Sequence, residues 1–124
     1  MAGAVTVTLR SSGAGGARVR RHRLPGLDEA LAVLEEELSA LASQARREAI
    51  DLRVRRFEPV AQVAARGEIA GLRRLRGGVD LRGDGSMEAF TGRLRRHVVE
   101  QREDESPFDA LRRALGGQSV SVEP

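Results

Sequence analysis

At 124 residues the chain is long enough for one modest hydrophobic core and too short for two. The absence of cysteine excludes a disulfide framework or thiolate metal site, and three Phe without Tyr or Trp leave few platforms on which bases or sugars could stack. The formal charge is only +3 although the sequence pI is about 11.0, because all 21 basic residues are arginines, which stay charged throughout the useful pH range.

A lysine-free, Ala/Arg/Gly-rich composition is what a GC-rich genome produces, so a basic binding surface must be inferred from where the arginines fall, not from their number. No apolar run approaches the ~20 residues of a membrane span, and the first residues hold no signal-peptide core. The expectation is a soluble, cytoplasmic protein.

Val5, Val7 and Leu9 alternate with Thr6, Thr8 and Arg10, which predicts a strand with one face in the core. The segment SSGAGG follows, and residues 11–17 read as a flexible Gly/Ser loop; it lacks the Gly-Lys-Ser/Thr of a phosphate-binding loop. Residues 18–24, RVRRHRL, are either a second strand paired with the first or an exposed basic arm. Arg18, Arg20, Arg21 and Arg23 repel one another there and seek water or phosphate, which makes them candidate anion contacts.

The strongest helical signal covers residues 27–47. Leu27, Leu31, Leu34, Leu38 and Leu41 lie on one side of a helix, Pro25-Gly26 punctuates its start, and acids precede basic residues as the helix dipole favours. Residues 50–57, IDLRVRRF, alternate as a strand that points Arg53 and Arg55 outward. A strand is favoured around residues 64–72, and another around Val79 and Leu81, closing on the turn Gly83-Asp84-Gly85.

Ser86 then looks like the N-cap of a second helix over residues 87–103, with Met87, Phe90, Leu94 and Val98 as its buried stripe. Ser106-Pro107-Phe108-Asp109 opens a short third helix, stopped by Gly116-Gly117, whose apolar face is Phe108, Leu111 and Leu115. About nine residues of helix are not stable alone in water, so this face must dock on its own domain, on a second copy or on a partner protein.

The elements predict an α+β domain over residues 1–104, with a mixed or antiparallel sheet of three to five strands and two main helices on one face. Residues 105–117 form the short docking helix, and residues 118–124 a disordered tail.

Chemistry-bearing constellations are sparse. His22 and His97 show no paired metal spacing, and no GxSxG nucleophile turn occurs. Glu35-Glu36-Glu37 reads as the solvated side of the leucine helix, and Asp80, Asp84 and Ser86 as turn residues. No catalysis, metal or cofactor is expected.

The internal LRRLRGG is similar to the tail of ubiquitin-like proteins, whose β-grasp fold also begins with a hairpin and a helix. A longer resemblance runs from about residue 5 to 100. The order β-α-β-β-β-α, and the rhythm of ARGEIAGLRRLRGGVDLRGDGSMEAFTGRLRRHV, resemble the ribosome-hibernation (light-repressed/protein Y) family. RSSGAGG stands where that family usually has a GR-containing turn, and Phe90 or Met87 where it has tyrosine. The resemblance implies binding to the small ribosomal subunit through basic side chains, with Arg53, Arg55, Arg93 and Arg96 as the RNA contacts.

Two functions follow. The near balance of Glu and Arg favours a non-enzymatic interaction module, self-associating or docked on a protein through the leucine seam or through Phe108, Leu111 and Leu115. The alternative is RNA or ribosome binding by an arginine-rich face.

Overall fold

A computed structural model describes residues 5–13, 16–52, 63–72, 75–92 and 95–120. The chain is α+β. In order it forms β1 (Val5–Gly13), β2 (Gly16–Leu24), α1 (Leu27–Leu52), β3 (Val63–Leu72), β4 (Leu75–Arg82), β5 (Met87–Thr91), β6 (His97–Val98) and α2 (Pro107–Val120). The strands make one antiparallel sheet in the order β2-β1-β3-β4-β5-β6. Six strands and two helices replace the three to five strands and three helices expected from sequence.

The core follows from strand parity. Val5, Val7 and Leu9 of β1, Ile69 of β3, and Val79 and Leu81 of β4 all turn to one side and are buried there. The leucine stripe of α1 covers them with Leu31, Leu34 and Leu38. Each such side chain contributes about 1.5–3 kcal/mol when fully buried. Gly67 lets α1 settle close to the sheet, because a Cβ on it would lie 2.2 Å from Leu34 Cδ1.

Helix α2 fills the rest of the same face. Ser106 Oγ accepts from the Asp109 amide at 3.0 Å, and Asp109 Oδ2 accepts from the Ser106 amide at 3.1 Å, a reciprocal capping box. Phe108, Leu111 and Leu115 are all buried in the chain's own core. They are therefore not a surface for a partner. The short helix docks on its own sheet because β4 and β5 extend beyond the area that α1 can cover. Arg112 of α2 also pairs with Asp28 of α1.

Four further expectations change. The segment expected to be a flexible loop is strand as far as Gly13 and again from Gly16, because the β1–β2 register continues to Gly13↔Gly16. Helix α1 runs to Leu52, so Ile50 and Leu52 end a helix and do not begin a strand. Residues 42–52 are rich in Ala, Arg, Gln and Glu, and no Gly or Pro stops them. Residues 53–57 lie outside the described residues.

The expected second helix is β5 and β6. Gly85, at φ 94°, closes a turn that sends the chain back beside β4, and Gly92 adopts φ 107°, a conformation foreign to an α-helix. Ser86 does not cap a helix; its amide and hydroxyl both donate to Asp84 Oδ1 and close that turn. Finally, α2 continues past Gly116-Gly117 to Val120, the first three residues of the expected tail included. Among the described residues, no helix is long and apolar enough to cross a membrane.

Leu34→Ala and Leu115→Ala are each expected to lower the unfolding free energy by about 2–5 kcal/mol in denaturant titrations, without changing the native mass in solution. A surface-like change of less than about 0.5 kcal/mol for Leu115→Ala would place α2 outside the core.

The chain leading into α2 is tied by Glu105, which accepts from Arg113 Nη2 at 2.7 Å and from the Arg102 amide at 2.9 Å. The Arg113 guanidinium, then that amide, hold the Glu105 carboxyl at about 2 instead of 4.5. A depressed folded-state value stabilises above the unfolded one, so this contribution is present above pH 4.5 and disappears as pH falls through about 2. Glu105→Gln should flatten the acid limb of stability between those values; an unaltered limb would show that the tie does not form.

Candidate functional site

Both helices lie on one face of the sheet, and in an antiparallel sheet the alternate residues must then project from the other. Registered across the strands, that open face reads in rows. One row is Arg21, Thr8, Glu68, Gly78, Phe90 and Val98. The next is Val19, Arg10, Arg66, Asp80 and Glu88. Arg23, Thr6, Ala70 and Arg76 form a third, and Arg82 of β4 also projects here. With Arg96, which reaches over from the β5–β6 connection, the described residues of this face include seven arginines and three carboxylates.

Asp80 organises its centre. Although it lies on the open face it is only 3 % exposed. Arg66 Nε donates to its Oδ1 at 2.6 Å and Nη2 more weakly to Oδ2 at 3.5 Å, while Arg96 Nη2 donates to Oδ2. A buried carboxylate needs such partners to offset its lost hydration. The Asp80 hydrogen bond in turn pushes the Arg66 guanidinium above its already high range, so Arg66 keeps its charge.

The two arginines also roof an aromatic ring. Phe90 projects from the open face, where Gly78 of the neighbouring strand leaves room for it; a Cβ on Gly78 would lie 2.9 Å from its Cζ. The guanidinium carbons of Arg96 and Arg66 stand 4.0 and 5.7 Å from the ring centroid, leaving Phe90 2 % exposed. Such stacked cations contribute about 0.5–2 kcal/mol. Phe90 is therefore sealed beneath cations and does not offer itself to a base.

Arg82 is paired with Glu88 at 2.8 Å. Arg10, Arg21, Arg23 and Arg76 have no carboxylate partner among the described residues. The strip formed by β1 and β2 carries Arg10, Arg21 and Arg23 with Thr6 and Thr8 and no acid.

The predicted anion contacts separate accordingly. Arg21, Arg23 and Arg96 share the open face. Arg18 and Arg20 register with Ser11 and Leu9 on the helix side of β2, and Arg20 is bound to Glu37 of α1 at 3.0 Å. Arg53, Arg55 and Arg93 lie outside the described residues. Within LRRLRGG, Leu72 ends β3, Leu75 begins β4 and the two glycines are buried in the sheet, so it is no free tail.

Arg10, Arg66, Arg76, Arg82, Asp80 and Phe90 were not among the sequence-derived candidates. The alternation of β1 already turned Arg10 outward, but no sequence signal linked Arg66 to Asp80. Among the described residues, no group of three or more His, Asp or Glu is arranged to hold a metal ion.

Asp80→Ala is expected to destabilise the fold by about 1–3 kcal/mol, because it removes the hydrogen bonds that hold two partly exposed guanidiniums over Phe90. Combining it with Arg96→Met should recover part of that loss in urea melts. Strict additivity of the two changes would mean that they do not share an interaction.

No protein-family model, no curated protein and no solved structure matches this chain.

Proposed function

We propose that this chain is a non-enzymatic binding module that holds a nucleic-acid strand by its phosphates against the open face of the sheet. One observation carries the proposal: four arginines, Arg10, Arg21, Arg23 and Arg76, project from this face without a carboxylate partner among the described residues. Neighbouring strands lie ~4.8 Å apart and successive rows ~6.8 Å apart along them, so the four arginines spread over three rows of the face.

Charge alone would also suit an acidic protein. A protein interface, however, draws its energy from a desolvated apolar centre with aromatic anchors. Here, among the described residues, the exposed large apolar side chains are Val19 and Val98, on opposite edge strands, and the strip of β1 and β2 carries arginine and threonine. The leucine seam and the Phe108 face, the surfaces expected for self-association, are occupied by the chain's own core. Among the described residues the open-face ring is Phe90, which is covered by guanidinium groups, so no base-stacking platform is offered there and binding is sequence-tolerant and works through counterion release.

Four phosphate contacts on a single strand give a log–log salt slope of roughly −3, so affinity for a labelled oligonucleotide should fall roughly 50-fold between ~50 and ~200 mM salt. Arg21→Gln and Arg23→Gln should each reduce that slope by roughly 0.7 with the fold intact. A dimer that shows no salt-sensitive binding would contradict the proposal and return attention to a protein partner.

A further inference from the structure

At one end of the open face, Arg10, Ser11 and Ser12 of β1, Ala17 of β2, and Ala64, Ala65 and Arg66 of β3 line a shallow open hollow of about 370 Å³. Clefts that hold small ligands run from ~300 to ~1,000 Å³, so this one suits a phosphate with its sugar. Its charge is unusual. Arg10 and Arg66 are directly opposite each other across the β1–β3 pairing, a like-charge juxtaposition that is unfavourable when nothing lies between. Among the described residues, no carboxylate lines the hollow. Asp80 faces Arg66 from β4, on the side away from β1, and Glu68 lies two residues along β3, in the direction opposite to Ala64.

Arg66 lines the hollow, and its guanidinium is held by Asp80 through Nε and Nη2. Counting Arg10, Arg66 and Arg96 against Asp80 and Glu68, whose charge also acts on Arg66, the cluster carries one uncompensated positive charge. An internal phosphodiester has two free acceptor oxygens; a phosphomonoester has three, so it can take one more guanidinium or hydroxyl donor of the hollow.

We infer that the Arg10–Arg66 hollow seats a terminal phosphomonoester, so that the face holds the phosphorylated end of a strand in preference to its interior. The inference rests on the proposed nucleic-acid face and adds a point of anchorage to it. Asp80 is a positioning residue in this arrangement, since it touches Arg66 and not the ligand.

The test compares one oligonucleotide sequence in three forms: unphosphorylated, 5′-phosphorylated and 3′-phosphorylated. The expected result is tighter binding of at least one phosphorylated form by roughly tenfold, the worth of one charge-assisted contact. The arm that gains identifies which end is held. Arg10→Gln should bring that ratio close to one, whereas Arg76→Gln, in a row away from the hollow, should weaken all three forms and leave the ratio unchanged. Equal binding of all three forms by the unmodified chain overturns the seat while leaving the nucleic-acid face standing. Failure of all three to bind overturns both.

Discussion

A carboxylate buried on the uncovered side of a sheet dictates the layout of this protein. Asp80 is shut away from water on the face that no helix covers, and its charge is held by Arg66 and Arg96. Those arginines cannot wander as surface arginines do, and their fixed planes complete the burial of Phe90. One acid thus converts two flexible cations and an aromatic ring into a rigid platform. Arg10, Arg21, Arg23 and Arg76, without a carboxylate partner among the described residues, stand around it.

The other side of the sheet is held by ordinary apolar burial, and the two sides are linked by register. Val79 and Leu81 enter the helix-covered core because Asp80 between them does not. A slip of one residue would put the carboxylate against the leucines of α1 and the valine in water. The hydrophobic pattern and the ion cluster therefore specify the same alignment of β3, β4 and β5, which leaves the open face with a single arrangement of charges.

Much of the packed side was legible in the sequence. The leucine spacing marks α1, the alternation of Val5, Val7 and Leu9 marks β1, and Ser-Pro-Phe-Asp marks the start of α2, because each is a local signal whose cause lies within a few residues. The segment after the glycine turn was misleading for a physical reason. Met87, Phe90, Leu94 and Val98 satisfy a helical stripe only if every apolar residue is taken to enter the core. Phe90 instead buries itself on the opposite face, under guanidinium groups, and Ala89 takes the core position. Asp80 looked like one more turn acid beside Asp84, because its partners lie 14 and 16 residues away and only the sheet brings them together. The arginine clusters were visible as runs, yet strand parity divides the run in β2, sending Arg21 and Arg23 to the open face and Arg20 to Glu37.

The most direct measurement is a backbone amide NMR titration of the chain with a short single-stranded oligonucleotide at low salt. The open-face account predicts that the largest shifts fall on Thr8, Arg10, Arg21, Arg23, Arg66 and Arg76, while the amides of α1 and α2 stay in place. Shifts concentrated on the helices, or none at concentrations where the chain remains folded, would contradict it.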